Sequence, residues 1–118
     1  KNRIKIFKSD VDNYNVGKYD LIVSNPPYID KHQLKYLGVS KYEPDNALNG
    51  GVSGTEVLMK VVVKASQLLK VNGKLIIEIG KNQKYKMIKF LKTNNFFVKK
   101  VIKDLSGHDR CIVSVKLF

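Results

Sequence analysis

The chain has 118 residues, enough for one domain core and too few for two. Hydrophobic residues make up 43% and charged residues 27%, a balance that excludes a disordered polyelectrolyte, and no apolar run approaches the roughly 20 residues of a membrane-spanning helix. Lysine and arginine outnumber the acids 22 to 10, for a net charge of +12, yet only Arg3 and Arg110 are arginine. Lysine lacks the planar fork that suits phosphate and guanine recognition, so the surplus fits a solvated basic surface as well as a footprint for a polyanion.

Lys1 to Lys8 has no apolar signal core and no initiator methionine, and is expected to be an interior point of a longer product. Within it, Arg3-Ile4-Lys5-Ile6-Phe7 alternates and breaks at Ser9-Asp10, which predicts a short strand ending in a loop. Tyr19 to Val23 predicts a second strand, running into Ser24-Asn25-Pro26-Pro27-Tyr28, where two prolines forbid continuation of a ladder or a helix. Residues 29 to 54 carry Gly38, Pro44, Gly50, Gly51 and Gly54, with a short helix expected around His32 to Leu37; an irregular segment of this length suggests a cover over a site.

Ser53-Gly54-Thr55-Glu56 has the form of a capping box, followed by Leu58, Val61, Val62, Ala65, Leu68 and Leu69 at helical spacing. Asn72-Gly73 is read as the stop of that helix. Lys74 to Ile79 is nearly all apolar, as expected of a strand buried on both faces, and Gly80 ends it. Gln83 to Thr93 predicts a second helix with Tyr85, Ile88 and Leu91 on its apolar side, followed by a strand from Phe96 to Lys103. The turn cluster Asp104 to Asp109 then returns the chain into a last strand, Arg110 to Leu117. Strands alternating with helices imply an α/β sheet, mostly parallel, with the closing hairpin making the last strand antiparallel.

Ligands bind outside the carboxyl ends of strands in such sheets, and Asn25 to Tyr28 begin where the second strand stops. Asn25 offers a side-chain carbonyl. The ring constraints at Pro26 and Pro27 hold the Pro26 carbonyl in a fixed direction with no competing N–H. Two such acceptors match the two hydrogens of a planar NH2 group, against which Tyr28 can lie flat.

Ser24-Asn25-Pro26-Pro27-Tyr28-Ile29 resembles the NPPY motif of S-adenosylmethionine-dependent amino-methyltransferases. Tyr42-Glu43-Pro44-x-x-Ala47-Leu48 with Gly50-Gly51, Leu75-Ile76-Ile77-Glu78-Ile79-Gly80, and Asp104-Leu105-Ser106-Gly107-His108-Asp109-Arg110 extend the resemblance to the release-factor glutamine N5-methyltransferase family. The resemblance implies a Rossmann-like class I methyltransferase sheet, with residues 1 to 118 as the C-terminal portion of one catalytic domain. It also implies S-adenosyl-L-methionine as methyl donor and a peptide chain release factor, methylated on the glutamine of its GGQ motif, as substrate in the cytoplasm. Asn25 and the Pro26 carbonyl would accept from the substrate amide, Tyr28 would pack on it, and Pro27 would shape the turn. Asp10 and Val11 match the family positions beside the cofactor adenine, with Asn25 bordering the cofactor; the family often has a large aromatic where this chain has Val11. The family's glycine-rich cofactor loop and N-terminal helical domain have no counterpart in residues 1 to 118, so the N-terminal part of the fold is expected to be missing. Weak or no cofactor binding is then expected of these residues alone.

A nucleic-acid amino-methyltransferase, which the positive charge favours, and a non-catalytic methyltransferase-like binding module are the competing readings. His32 and His108 have no carboxylate or cysteine at metal spacing and read as surface or turn residues. Glu78 reads as a carboxylate satisfied inside an apolar strand, Glu43 as a candidate to fix the long loop over the cleft, and the lone Cys111 as a buried thiol in a reducing compartment.

Overall fold

The computed structural model describes residues 3–6, 8–25 and 55–118. Six regular elements follow one another: strand β1 (Tyr19–Ser24), helix α1 (Glu56–Leu68), strand β2 (Leu69–Glu78), helix α2 (Lys84–Thr93), strand β3 (Phe96–Lys103) and strand β4 (Asp109–Lys116). They form one sheet in the order β1-β2-β4-β3, with β1 parallel to β2 and β4 antiparallel to both of its neighbours. Three strands therefore point one way and the last one back, as expected. The last strand lies between β2 and β3, so only one of the three pairings is parallel.

Both helices cover the same face. Leu58, Val62, Leu75, Ile77, Ile79, Met87, Leu91 and Ile112 are fully buried in a single cluster with Val61, Ala65 and Phe96. Each such side chain contributes about 1.5–3 kcal/mol by leaving water. Among the described residues no helix is long and apolar enough to cross a membrane.

The opposite face is much less covered. Register places Leu21, Val23 and Ile76 there with Cys111, Val113 and Val115 of β4 and Phe97 and Ile102 of β3. Leu21 is 52% exposed, Val23 65% and Phe97 57%. This corrects the expectation of a β2 strand buried on both faces: Leu75, Ile77 and Ile79 are buried, whereas Ile76 and Glu78 are half-buried and Lys74 is exposed. Glu78 and its cross-strand partner Cys111 share the uncovered face, so the carboxylate is not enclosed by the core and the free thiol is half-buried rather than buried.

Further expectations are corrected. Residues 3–6 form no strand, and Ile4 and Ile6 are 82% and 92% exposed; no described strand lies beside them, and alternation without a ladder partner leaves both backbone and side chains in water. Helix α1 begins at Glu56 with Thr55 as its N-cap, so Glu56 opens the first turn instead of closing a capping box from Ser53, which lies outside the described residues. The helix also ends earlier than Asn72-Gly73. The Leu69 N–H still bonds the Ala65 carbonyl, but Leu69 itself is extended and pairs with Tyr19. Leu21 then pairs with Lys74, so Lys70 to Gly73 form an outward bulge in β2, with Asn72 at φ 69°. In α2 the buried stripe is Gln83, Met87 and Leu91, while Tyr85 is 80% exposed: two residues before Met87, it lies about 200° round the helix. The helix expected near His32 and the loop carrying Glu43 lie outside the described residues.

Candidate functional site

At the carboxyl end of β1 a cavity of about 320 Å³ opens between the strand, α1 and residues 9 to 14. Ile22, Val23 and Ser24 form its floor, Val61, Ala65 and Leu68 of α1 one wall, and Ser9, Asp10, Val11 and Tyr14 the other, with Lys64 at the margin. Its size lies at the lower end of the range for small-molecule sites, and its make-up is the usual one, mostly apolar with a few polar groups.

Asp10 sits just before a single 3-10 turn, Val11–Asn13. Its carbonyl accepts from the Asn13 N–H at 3.1 Å. The residue is exposed, and its carboxylate receives only a long contact, 3.5 Å from Asn13 Nδ2, so it retains acceptor capacity toward the cavity. The expected strand before it is absent; the turn, not a strand end, places it. Tyr14 is fixed from behind. Its hydroxyl shares a hydrogen bond with that of Tyr19, and the Tyr19 O–H meets the Val16 carbonyl at 2.8 Å. The Tyr14 bond, followed by burial, holds the Tyr19 phenol above its ordinary pKa. Lys64 is held by the Asn15 side-chain carbonyl, 2.6 Å from Nζ.

Asp10 and Val11, which the resemblance puts beside the cofactor adenine, both line this cavity; so do Tyr14, Lys64 and the α1 residues, which the sequence did not single out for the site. Tyr14 stands three residues past Val11 with no motif around it. The turn of residues 11–13 brings it back to the same cavity, which it lines together with Val11. Asn25 follows Ser24 directly and is exposed, but it is not among the residues that line the cavity. Pro26, Pro27 and Tyr28 lie outside the described residues.

No protein-family model matches the chain. Among curated proteins, the release factor glutamine methyltransferase of Fusobacterium nucleatum subsp. nucleatum is 44% identical over 101 residues, which is 84% of this chain and 28% of that protein. The chain belongs to the release factor glutamine methyltransferase family. The member from Clostridium botulinum is 36% identical over 98% of this chain and 43% of its own length. The ribosomal protein uL3 glutamine methyltransferase of Francisella tularensis subsp. tularensis is 40% identical over 70% of the chain and 27% of its own length. The chain thus spans between about a quarter and under a half of these relatives. Solved structures agree on the fold alone. A methyltransferase from Pyrococcus furiosus superposes with a TM-score of 0.59 at 22% identity over 87% of this chain and 43% of its own. The ribosomal protein L11 methylase of Lactobacillus delbrueckii subsp. bulgaricus gives 0.56 at 18% identity, over 86% and 38%.

In this family member the Asp104–Arg110 segment is a tightly bonded hairpin turn. Asp104 Oδ1 accepts from the Ser106 N–H at 2.9 Å and the His108 N–H at 3.0 Å, and Oδ2 accepts from Arg110 Nε at 2.9 Å. The Asp104 N–H bonds the His108 carbonyl at 2.8 Å, and Gly107 closes the turn at φ 85°, a conformation that favours glycine. The Arg110 guanidinium, with the backbone donors, lowers the Asp104 pKa to about 2. His108 is an exposed turn residue, as expected.

Proposed function

We propose that the protein carrying this chain transfers a methyl group from S-adenosyl-L-methionine to the side-chain amide nitrogen of a glutamine in a peptide chain release factor, in the cytoplasm. The observation that carries this reading is adjacency: Ser24 and Asp10 line one cavity, and the next residue along the chain, Asn25, is exposed. The names of the relatives supply the reaction and the substrate.

The cavity fits one end of the donor. Val11, Ile22, Val61 and the Tyr14 ring offer apolar and aromatic surface to a purine, and the Asp10 carboxylate can accept from its exocyclic amine. Bound there, S-adenosyl-L-methionine supplies an electrophilic methyl on a positively charged sulfur. The chain's own residues position the nucleophile. An amide nitrogen is a poor one because its lone pair is delocalised into the carbonyl. Asn25 Oδ1 and the Pro26 carbonyl, each accepting one N–H, would raise electron density on that nitrogen and aim it, with Tyr28 holding the amide plane. Held by Asp10, Val11 and Tyr14, the donor would supply its methyl group to that nitrogen, its sulfur keeping the electron pair of the broken C–S bond. The nitrogen, now carrying the positive charge, gives one proton to solvent. No dedicated base is required.

The relative named for ribosomal protein uL3 supports a second substrate with the same chemistry, a glutamine on another protein of the translation apparatus. Nucleic acid is the weaker alternative. The deciding measurement is methyl incorporation into purified release factor by the intact protein. Asn25→Ala is expected to lower that rate by about 10²–10³-fold, the usual effect of removing one preorganised polar contact at a reacting centre, while donor affinity changes less than about threefold. Transfer at near wild-type rate would refute the role given to Asn25.

A further inference from the structure

The Asp104–Arg110 turn takes no part in the reaction outlined above, yet it forms one wall of a second cavity of about 320 Å³. Gly107, His108 and Asp109 line it from the turn, and Gly80, Lys81, Asn82, Lys84 and Tyr85 line it from the end of β2 and the start of α2. The Ile79 N–H donates to the Arg110 carbonyl at 2.7 Å and the Gly80 N–H to Gln83 Oε1 at 2.7 Å, so both walls are fixed to each other and to the sheet.

Gly80, on the wall of this cavity, and Asn25 both stand just past the carboxyl ends of neighbouring parallel strands. Ser24 pairs with Ile77, which puts Asn25 level with Glu78 and two residues short of Gly80. One strand spacing and two residues of rise separate the Asn25 and Gly80 backbones by about 8 Å. A single folded partner can therefore touch both.

Its charge selects the partner. Among the described residues that line the cavity, Lys81 and Lys84 stand with one acid, Asp109, which Lys103 Nζ approaches to 3.0 Å and Lys84 Nζ to 3.9 Å. The cavity therefore carries surplus positive charge. Arg110, the arginine of the turn, donates from Nε to Asp104 Oδ2 at 2.9 Å and is not among the residues that line the cavity. Tyr85, which lines the cavity with Lys84 Nζ 5.2 Å from its ring centroid, is 80% exposed, and Leu105 in the adjoining turn is fully exposed. Aromatic and aliphatic anchors on a preorganised loop lose little entropy on docking and characterise protein interfaces.

We propose that this cavity is a second docking point for the folded protein substrate, which places an acidic side chain between Lys81 and Lys84 and packs apolar surface on Tyr85 and Leu105. The proposal rests on the protein-substrate reading above and adds a contact away from the methylated glutamine. The test is steady-state methylation of intact release factor by the intact protein carrying Lys81→Glu and Lys84→Glu together, at several salt concentrations. KM is expected to rise about tenfold with kcat within twofold, KM to lose much of its dependence on salt, and Lys81→Arg with Lys84→Arg to restore wild-type behaviour. An unchanged KM would overturn the proposal, as would a fall in kcat matching any rise in KM. Competitive inhibition by RNA that the double glutamate variant relieves would assign the cavity to nucleic acid and also overturn it. A wild-type protein that methylates no release factor would instead refute the substrate reading, and this inference with it.

Discussion

Gly73→Ala isolates the physics of the bulge at the start of β2. A Cβ built on Gly73 would stand 2.8 Å from the Lys70 carbonyl oxygen, 3.0 Å from Leu69 Cδ2 and 3.2 Å from the Tyr19 carbonyl oxygen. The Leu69 methyl can swing aside. The two carbonyls cannot, because they belong to the bulge and to β1, where Tyr19 pairs with Leu69. Overpacking against a fixed backbone costs about 1–3 kcal/mol, and the reduced entropy of the unfolded chain returns about 0.4–1. Mid-range values leave a net loss of about 1–2 kcal/mol, which at roughly 2–4 °C per kcal/mol for a domain larger than this chain lowers Tm by about 2–8 °C. Thermal and urea unfolding of the intact protein would measure it. Were Gly73 only a generic helix stop, alanine would be neutral or slightly stabilising; a Tm within about 1 °C of wild type would refute the clash.

Two further outcomes follow from the site geometry. Asp10→Ala removes a charged acceptor from the cavity wall and is expected to weaken donor binding by about 10–100-fold, read by calorimetric titration of the intact protein; unchanged affinity would mean that the adenine end lies elsewhere. For Asp104 the sign is set by a carboxylate whose folded pKa is lowered to about 2, below its unfolded value. Its contribution to stability is fully present above the unfolded pKa of about 4 and is lost as pH falls through about 2. Asp104→Asn should therefore destabilise at neutral pH and flatten the acid limb of the wild-type stability curve; acid limbs of equal slope would refute the assignment.

Much of this was legible in the residues. The spacing of Leu58, Val61, Val62, Ala65 and Leu68 gave α1 its buried stripe, and the strand expected over Tyr19 to Val23 put Asn25 just past the carboxyl end of β1. What could not be read depended on contacts distant in sequence. Lys74 to Ile79 looks like a fully buried strand, yet the uncovered face of the sheet leaves Ile76 and Glu78 half in water. Asn72-Gly73 has the chemistry of a stop signal, and only the pairing of Tyr19 with Leu69 reveals that the ladder had already begun. Tyr14 enters the site through a turn too short to leave a periodic signature.

The Asp104–Arg110 turn also has a dynamic consequence. One carboxylate oxygen holds the Ser106 and His108 amides together, so a fluctuation that frees one loosens the other, and the two amides should trade their hydrogens for deuterium at similar rates.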